Sequence, residues 1–117
     1  TETFYMQVEG TGNCEIKLMN TSEEILIITL TESEFIIDRS KAGLKDFNKN
    51  FNSEKFLVQH TKRPILSKID MCIIFDVSVA EVFACDGFIA ACTTVYPQSP
   101  YDAYEVTGDV QVKFCEI

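Results

Sequence analysis

Apolar and polar residues alternate in this chain with period two, and the pattern breaks off and restarts every few residues. It runs through TFYMQV (3–8), CEIKLM (14–19), EILIITL (24–30), EFIIDR (34–39), KFLVQH (55–60), MCIIFDV (71–77), AEVFA (80–84), FIAACTTV (88–95) and DVQVKFCE (109–116). Successive side chains of a strand point to opposite faces, so each stretch reads as a strand with one face turned to a core. Turn-forming residues punctuate them at Gly10-Thr11-Gly12-Asn13, Asn20-Thr21-Ser22, Asp86-Gly87 and Thr107-Gly108-Asp109. About nine short strands, so spaced and with no convincing helix among them, predict an all-β fold. The expected architecture is a β-sandwich of two antiparallel sheets, concanavalin-like or jelly-roll-like. A chain of 117 residues is the usual size of one domain, so residues 1–117 are expected to share one core without an internal linker.

Two segments interrupt the rhythm. Residues 40–54, SKAGLKDFNKNFNSE, are polar with Phe47 and Phe51 four apart and read as a loop pinned by two aromatics. Residues 96–104, YPQSPYDAY, carry two prolines and three tyrosines and are expected to leave the ladder as an irregular surface segment. Between them lies the densest apolar stretch. Asp86-Gly87 is a preferred pair for a two-residue type I′ hairpin loop, which requires positive φ at both central positions and so depends on Gly87. Pairing outward from that turn sets Cys85 against Phe88, Ala84 against Ile89, Phe83 against Ala90, Val82 against Ala91 and Glu81 against Cys92. One face then collects Phe83, Cys85, Phe88, Ala90 and Cys92, and the other Val82, Ala84, Ile89, Ala91 and Val95. A hairpin apolar on both faces needs cover on both, one from the opposite sheet and one from a loop or another domain. Phe83 is expected in the core.

Composition removes several functions. A net charge of -8 repels phosphates and anionic lipid, so no nucleic-acid partner is expected. Lys62-Arg63 stands alone as two solvated loop charges. No apolar run approaches the roughly 20 residues of a membrane helix, and no membrane partner is expected. The five cysteines, Cys14, Cys72, Cys85, Cys92 and Cys115, are odd in number, lack a CxxC pair and sit in apolar segments, as free buried thiols of a reducing compartment do. A cytoplasmic location is expected. The chain opens on Thr1 within a strand pattern, so sequence upstream of it is expected. Asn20-Thr21-Ser22 matches a glycosylation acceptor but falls where a turn is expected anyway.

No catalytic constellation emerges. The single His60 has no partners spaced as zinc ligands, and no phosphate loop, nucleophile elbow or HExxH motif occurs. No catalytic, cofactor-binding or metal-ligating residue is assigned, and no cofactor is expected. Tyr96, Tyr101 and Tyr104 around Pro97 and Pro100 read either as a sugar-stacking platform or as anchors that hold a loop on the sandwich.

IIFDVSVAEVFACDGFIAACTTVYP (73–97) resembles the closing hairpin of the C-terminal β-sandwich of glycoside hydrolase family 32, the invertase, levanase and sucrose-6-phosphate hydrolase family. Asp76, Ser78, Glu81-Val82-Phe83, Asp86-Gly87, Thr94 and Tyr96-Pro97 match that pattern. FIIDRSKAG (35–43) matches a second element, an apolar strand ending in a DRS-type turn, here Asp38-Arg39-Ser40. Val77 stands where Arg is usual, Ala80 where Val is commoner and Cys85 where Asn is usual. The resemblance implies that catalysis belongs to a preceding five-bladed β-propeller with WMNDPNG-type, RDP and EC motifs, and none of the three occurs here. It further implies a non-catalytic accessory domain of a β-fructofuranosidase, inactive alone. Its partner would be the catalytic β-propeller of the same polypeptide, and a homo-oligomer is allowed. The alternative is a free-standing carbohydrate-binding module.

Overall fold

The computed structural model describes residues 3–44, 57–63, 68–85 and 89–116. Among them eight strands follow one another: β1 (Thr3–Met19), β2 (Ile25–Leu30), β3 (Glu34–Lys41), β4 (Val58–Lys62), β5 (Lys68–Asp76), β6 (Val79–Ala84), β7 (Ile89–Thr94) and β8 (Ala103–Glu116). Every pairing is antiparallel. The first half of β1 pairs with β5, from Thr3↔Asp76 to Thr11↔Lys68, and the second half with β2, from Cys14↔Leu30 to Met19↔Ile25. β8 follows the other side of β1 along its whole length. Two leaves therefore share β1 and β8. One continues through β2 and β3 to β4, the other through β5 and β6 to β7. The expected antiparallel sandwich is present.

Residues 3–8 and 14–19, read from the sequence as two strands, form one. The turn residues between them serve a bulge instead. Register passes from Thr11↔Asp109 to Cys14↔Gly108, which leaves Gly12 and Asn13 looped out of β1. Gly12 has φ 84° and Gly108 opposite has φ 123°, left-handed conformations that cost glycine little. A Cβ at Gly108 would lie 2.4 Å from the Asn13 carbonyl oxygen. Because two residues are inserted, the parity of side chains survives: Phe4, Met6 and Val8 before the bulge and Cys14, Ile16 and Leu18 after it all face the core.

The same alternation buries Leu26, Ile28 and Leu30 of β2 and Ile69, Met71, Ile73 and Phe75 of β5. Phe4 stacks on Phe75 at 5.2 Å and contacts Phe114 at 5.2 Å, while Phe75 meets the edge of Tyr101 at 5.3 Å. The β6–β7 hairpin has the register expected from its turn: Glu81↔Cys92, Val82↔Ala91, Phe83↔Ala90 and Ala84↔Ile89. Its inner face, Val82, Ala84, Ile89 and Val95, is buried. The placement of Phe83 in the core is overturned. A leaf has only one inner face, and period-two alternation puts Phe83 on the other, 42% exposed. Cys85 also leaves its expected face, because φ 55° rotates it into the core. Asp86, Gly87 and Phe88, and with them the expected positive φ at Gly87, lie outside the described residues, as do positions 45–54 of the expected polar loop and the first two residues of the strand expected at 55–60.

Arg63 departs most from its sequence reading. It is buried, not a solvated loop charge. Its guanidinium donates to the carbonyls of Gly12 at 2.8 Å, Thr31 at 2.6 Å and Lys68 at 3.2 Å. One side chain thus ties the β1 bulge, the β2–β3 turn and the start of β5, and it closes one end of the sandwich between both leaves. Beside it, burial pushes the Cys14 thiol up to about 11 against the opposing pull of the Arg63 charge. At the β5–β6 turn, Val77 adopts φ 53° while 54% exposed, a strained state for a β-branched residue.

Two stability measurements test this picture. Arg63→Ala strands three carbonyls and should lower the unfolding free energy by about 3 kcal/mol in urea titration, with Arg63→Lys recovering little because an ammonium lacks the planar fork. Val77→Asn should raise it by about 1 kcal/mol, since Asn tolerates the left-handed region and little apolar burial is lost.

Candidate interaction surface

The chain leaves β7 at the end of the sandwich opposite Arg63 and crosses between the leaves before entering β8. Leu44 N–H donates to the Tyr96 carbonyl at 2.9 Å and Asp102 N–H to the Met19 carbonyl at 2.9 Å. Gly43 lies so close to this crossing that a Cβ there would meet the Tyr96 carbonyl oxygen at 2.4 Å. Tyr101 is buried, and its hydroxyl donates to the Ala42 carbonyl. Burial and the charge of Glu24 push that hydroxyl well above its ordinary pKa, so it remains a donor. The segment runs irregularly over the surface as expected, and the buried Tyr101 is the side chain by which it plugs this end of the sandwich. Of the two readings of the tyrosines, anchoring is the one Tyr101 fulfils, and it offers no face to a sugar.

Glu24 holds the plug from the other side. Its carboxylate accepts from Asn20 Nδ2 at 2.9 Å, from the Gln98 backbone N–H at 2.7 Å and from Gln98 Nε2 at 3.1 Å. Asn20 Oδ1 in turn accepts from the N–H groups of Ser22 and Glu24 at 3.0 Å, and its Nδ2 also donates to the Ser99 carbonyl. The Asn20-Thr21-Ser22 triplet is thus the β1–β2 turn, with its amide committed to structure.

The outer face of the β5–β6–β7 leaf has a different character. Phe83 projects from its middle, paired across β7 with Ala90 and across β5 with Cys72. Ala90 and Cys92 are exposed beside it, and Cys72 and Ile74 are half-buried. The second face is apolar around Phe83 but carries the exposed Glu81 between Ile74 and Cys92, and among the described residues no element covers it. Val77 and Leu44 add exposed apolar surface near the plugged end.

No group of three or more His, Cys, Asp or Glu residues that could hold a metal occurs among the described residues. His60 is exposed, with Nδ1 2.8 Å from Glu34 Oε2. A shallow cavity of about 310 Å³ lies at the β1 bulge against Asn13, Cys14, Leu30 and Gly108. Another of about 120 Å³ lies beside the β8 edge against Phe4, Tyr101, Tyr104 and Phe114. No described helix is long and apolar enough to cross a membrane.

A family model for the C-terminal part of glycosyl hydrolases family 32 matches residues 2–115. The chain belongs to that family. Solved structures agree in fold with this family 32 C-terminal sandwich. An exo-inulinase from Aspergillus awamori superposes with TM-score 0.82 at 20% identity, covering 99% of this chain and 25% of the other. A sucrose-6-phosphate hydrolase from Lactobacillus gasseri gives 0.76 at 17%, covering 97% and 24%. A fructofuranosidase from Schwanniomyces occidentalis complexed with fructosylnystose gives 0.69 at 16%, covering 99% and 28%. The family 32 chain described here spans about a quarter of the length of these proteins. No curated protein matches it in sequence. The departures noted from the family pattern now have positions: Ala80 is fully buried, and Val77 and Cys85 both occupy left-handed conformations. Asn, the usual residue at the Cys85 position, tolerates that conformation well.

The Glu24 network makes stability depend on pH. Burial raises its carboxyl, but the donors of Asn20 and Gln98 outweigh burial and hold it below its ordinary 4.5. A depressed folded value adds stability that is complete above the unfolded value and is lost as pH falls through the folded one. Urea midpoints measured from neutral pH to about pH 2 should fall more steeply for the parent than for Glu24→Gln.

Proposed function

We propose that this chain is the non-catalytic accessory sandwich of a β-fructofuranosidase acting on sucrose, sucrose-6-phosphate or a fructan, and that it stabilises the catalytic β-propeller of the same polypeptide by packing on it. Residues 1–117 form one domain in this reading. The observation that carries it is the outer face around Phe83. A large aromatic at the centre of a sheet face, flanked by Ala90 and Cys92, loses exposure only when another body lies on it. Membership of the family supports the reading, as does the share of each related enzyme that the chain spans. A cytoplasmic setting fits five cysteines that are all free.

Phe83→Ala tests the docking face. In the isolated chain it should change unfolding free energy by less than about 1 kcal/mol, as a half-exposed position does. In the intact enzyme it should lower the stability of the propeller by about 2 kcal/mol, read from the thermal inactivation of sucrose hydrolysis. Unchanged inactivation would place the contact elsewhere. Turnover of sucrose by the 117-residue chain alone would end the accessory reading.

A further inference from the structure

The cavity beside β8 belongs to the inner side of that strand, whereas Phe83 lies on the outer face of its leaf, and the two differ in chemistry. Tyr104 and Phe114 stand on either side of the Gly108 bend, 43% and 41% exposed, and their rings stack with centroids 5.6 Å apart. Phe4 backs them, 5.2 Å from Phe114. Asp102 and Glu116, both exposed, join the lining from either end of β8, and among the described residues no lysine, arginine or histidine contributes to it.

This composition selects one charge. An aromatic face is the negative part of the ring quadrupole and an ionised carboxylate only accepts hydrogen bonds, so each polar feature of the lining attracts a cation that donates them. A chain of net charge -8 adds to that field. We propose that the cavity binds one organic cation, a guanidinium or alkylammonium head group whose apolar stem lies along Tyr104 and Phe114. Its volume of about 120 Å³ is a little below the roughly 150 Å³ that takes up one benzene ring, so a head group of that kind enters whole. A sugar ring, bulkier and rimmed by hydroxyls, does not. Phosphate and carboxylate ligands are repelled by Asp102 and Glu116, and a wholly apolar ligand would desolvate those carboxylates without replacing their hydrogen bonds. A free amine and a basic side chain of a preceding domain carry the same head group.

Titration of the full chain with tetramethylammonium chloride, and separately with N-acetyl-arginine amide, tests the site through amide chemical shifts in nuclear magnetic resonance. Sodium chloride at matched ionic strength and sucrose are the controls. Both cations should give saturable shifts at Ala103, Tyr104 and Phe114 that weaken as ionic strength rises. Tyr104→Leu keeps the bulk but removes a ring face and should weaken binding roughly fivefold. Asp102→Asn combined with Glu116→Gln should do the same while leaving the rings in place, which keeps the site testable if Tyr104→Leu fails to fold. In the intact enzyme the shifts persist if a free amine is the ligand, and are abolished if a basic side chain of the catalytic domain already fills the cavity. Absence of saturable shifts, equal shifts with sucrose, or shifts indifferent to the carboxamide exchanges would overturn the proposal. The accessory reading survives that failure, because it stands on Phe83 and is read from the inactivation of the propeller.

Discussion

The pairing of β1 with β8 is the constraint on which the rest of the molecule depends. One strand cannot belong to two stacked leaves unless it turns a corner, and β1 does so at Gly12-Asn13 while Gly108 yields opposite. Inserting two residues bends the ladder yet preserves which side chains face inward. A single inserted residue would turn Cys14, Ile16 and Leu18 outward and leave the β2–β3–β4 leaf without a core contact from β1. β5 on one half and β2 on the other hang from this one ribbon.

A folded ribbon still leaves two open ends, and each is closed by polar chemistry. At one, Arg63 reaches three carbonyls that belong to otherwise separate elements. At the other, Glu24 collects donors from the β1–β2 turn and from the crossing segment, and Tyr101 fills the space above Phe75. These are buried groups with specific partners, and they fix the spacing of the leaves where apolar packing alone would tolerate sliding. The two sequence elements that carry the family resemblance meet here: Gly43 at the end of the first, with Leu44 that follows it, lies against Tyr96-Pro97 of the second. The pattern in the sequence is therefore the signature of an end closure, which the crossing chain requires and which leaves the outer face of the hairpin open to a neighbour.

Alternation read from the sequence found most strands and the hairpin register down to individual pairs, because both follow from local geometry and a turn of known length. It misjudged Gly10-Thr11-Gly12-Asn13, since glycines that permit a turn permit a bulge equally well and only the opposing strand selects between them. It misjudged Arg63 because burial of a guanidinium requires acceptors brought from three remote segments. Phe83 was legible as apolar but not as exposed: period two states that neighbours face opposite ways and leaves open which way is in.

By itself the sequence determined that this chain is a set of antiparallel strands, that the β6–β7 hairpin pairs in the register its turn dictates, and to which family it belongs. Those properties reside in side-chain alternation, turn chemistry and local motifs, all of which act over a few residues. Only the tertiary structure decided that two predicted strands are one, which hairpin face is covered, which charges are buried, and that among the described residues β8 is left with an open edge. Each of those depends on segments far apart in the chain meeting, and the free energy of such meetings is a property of the assembled leaves.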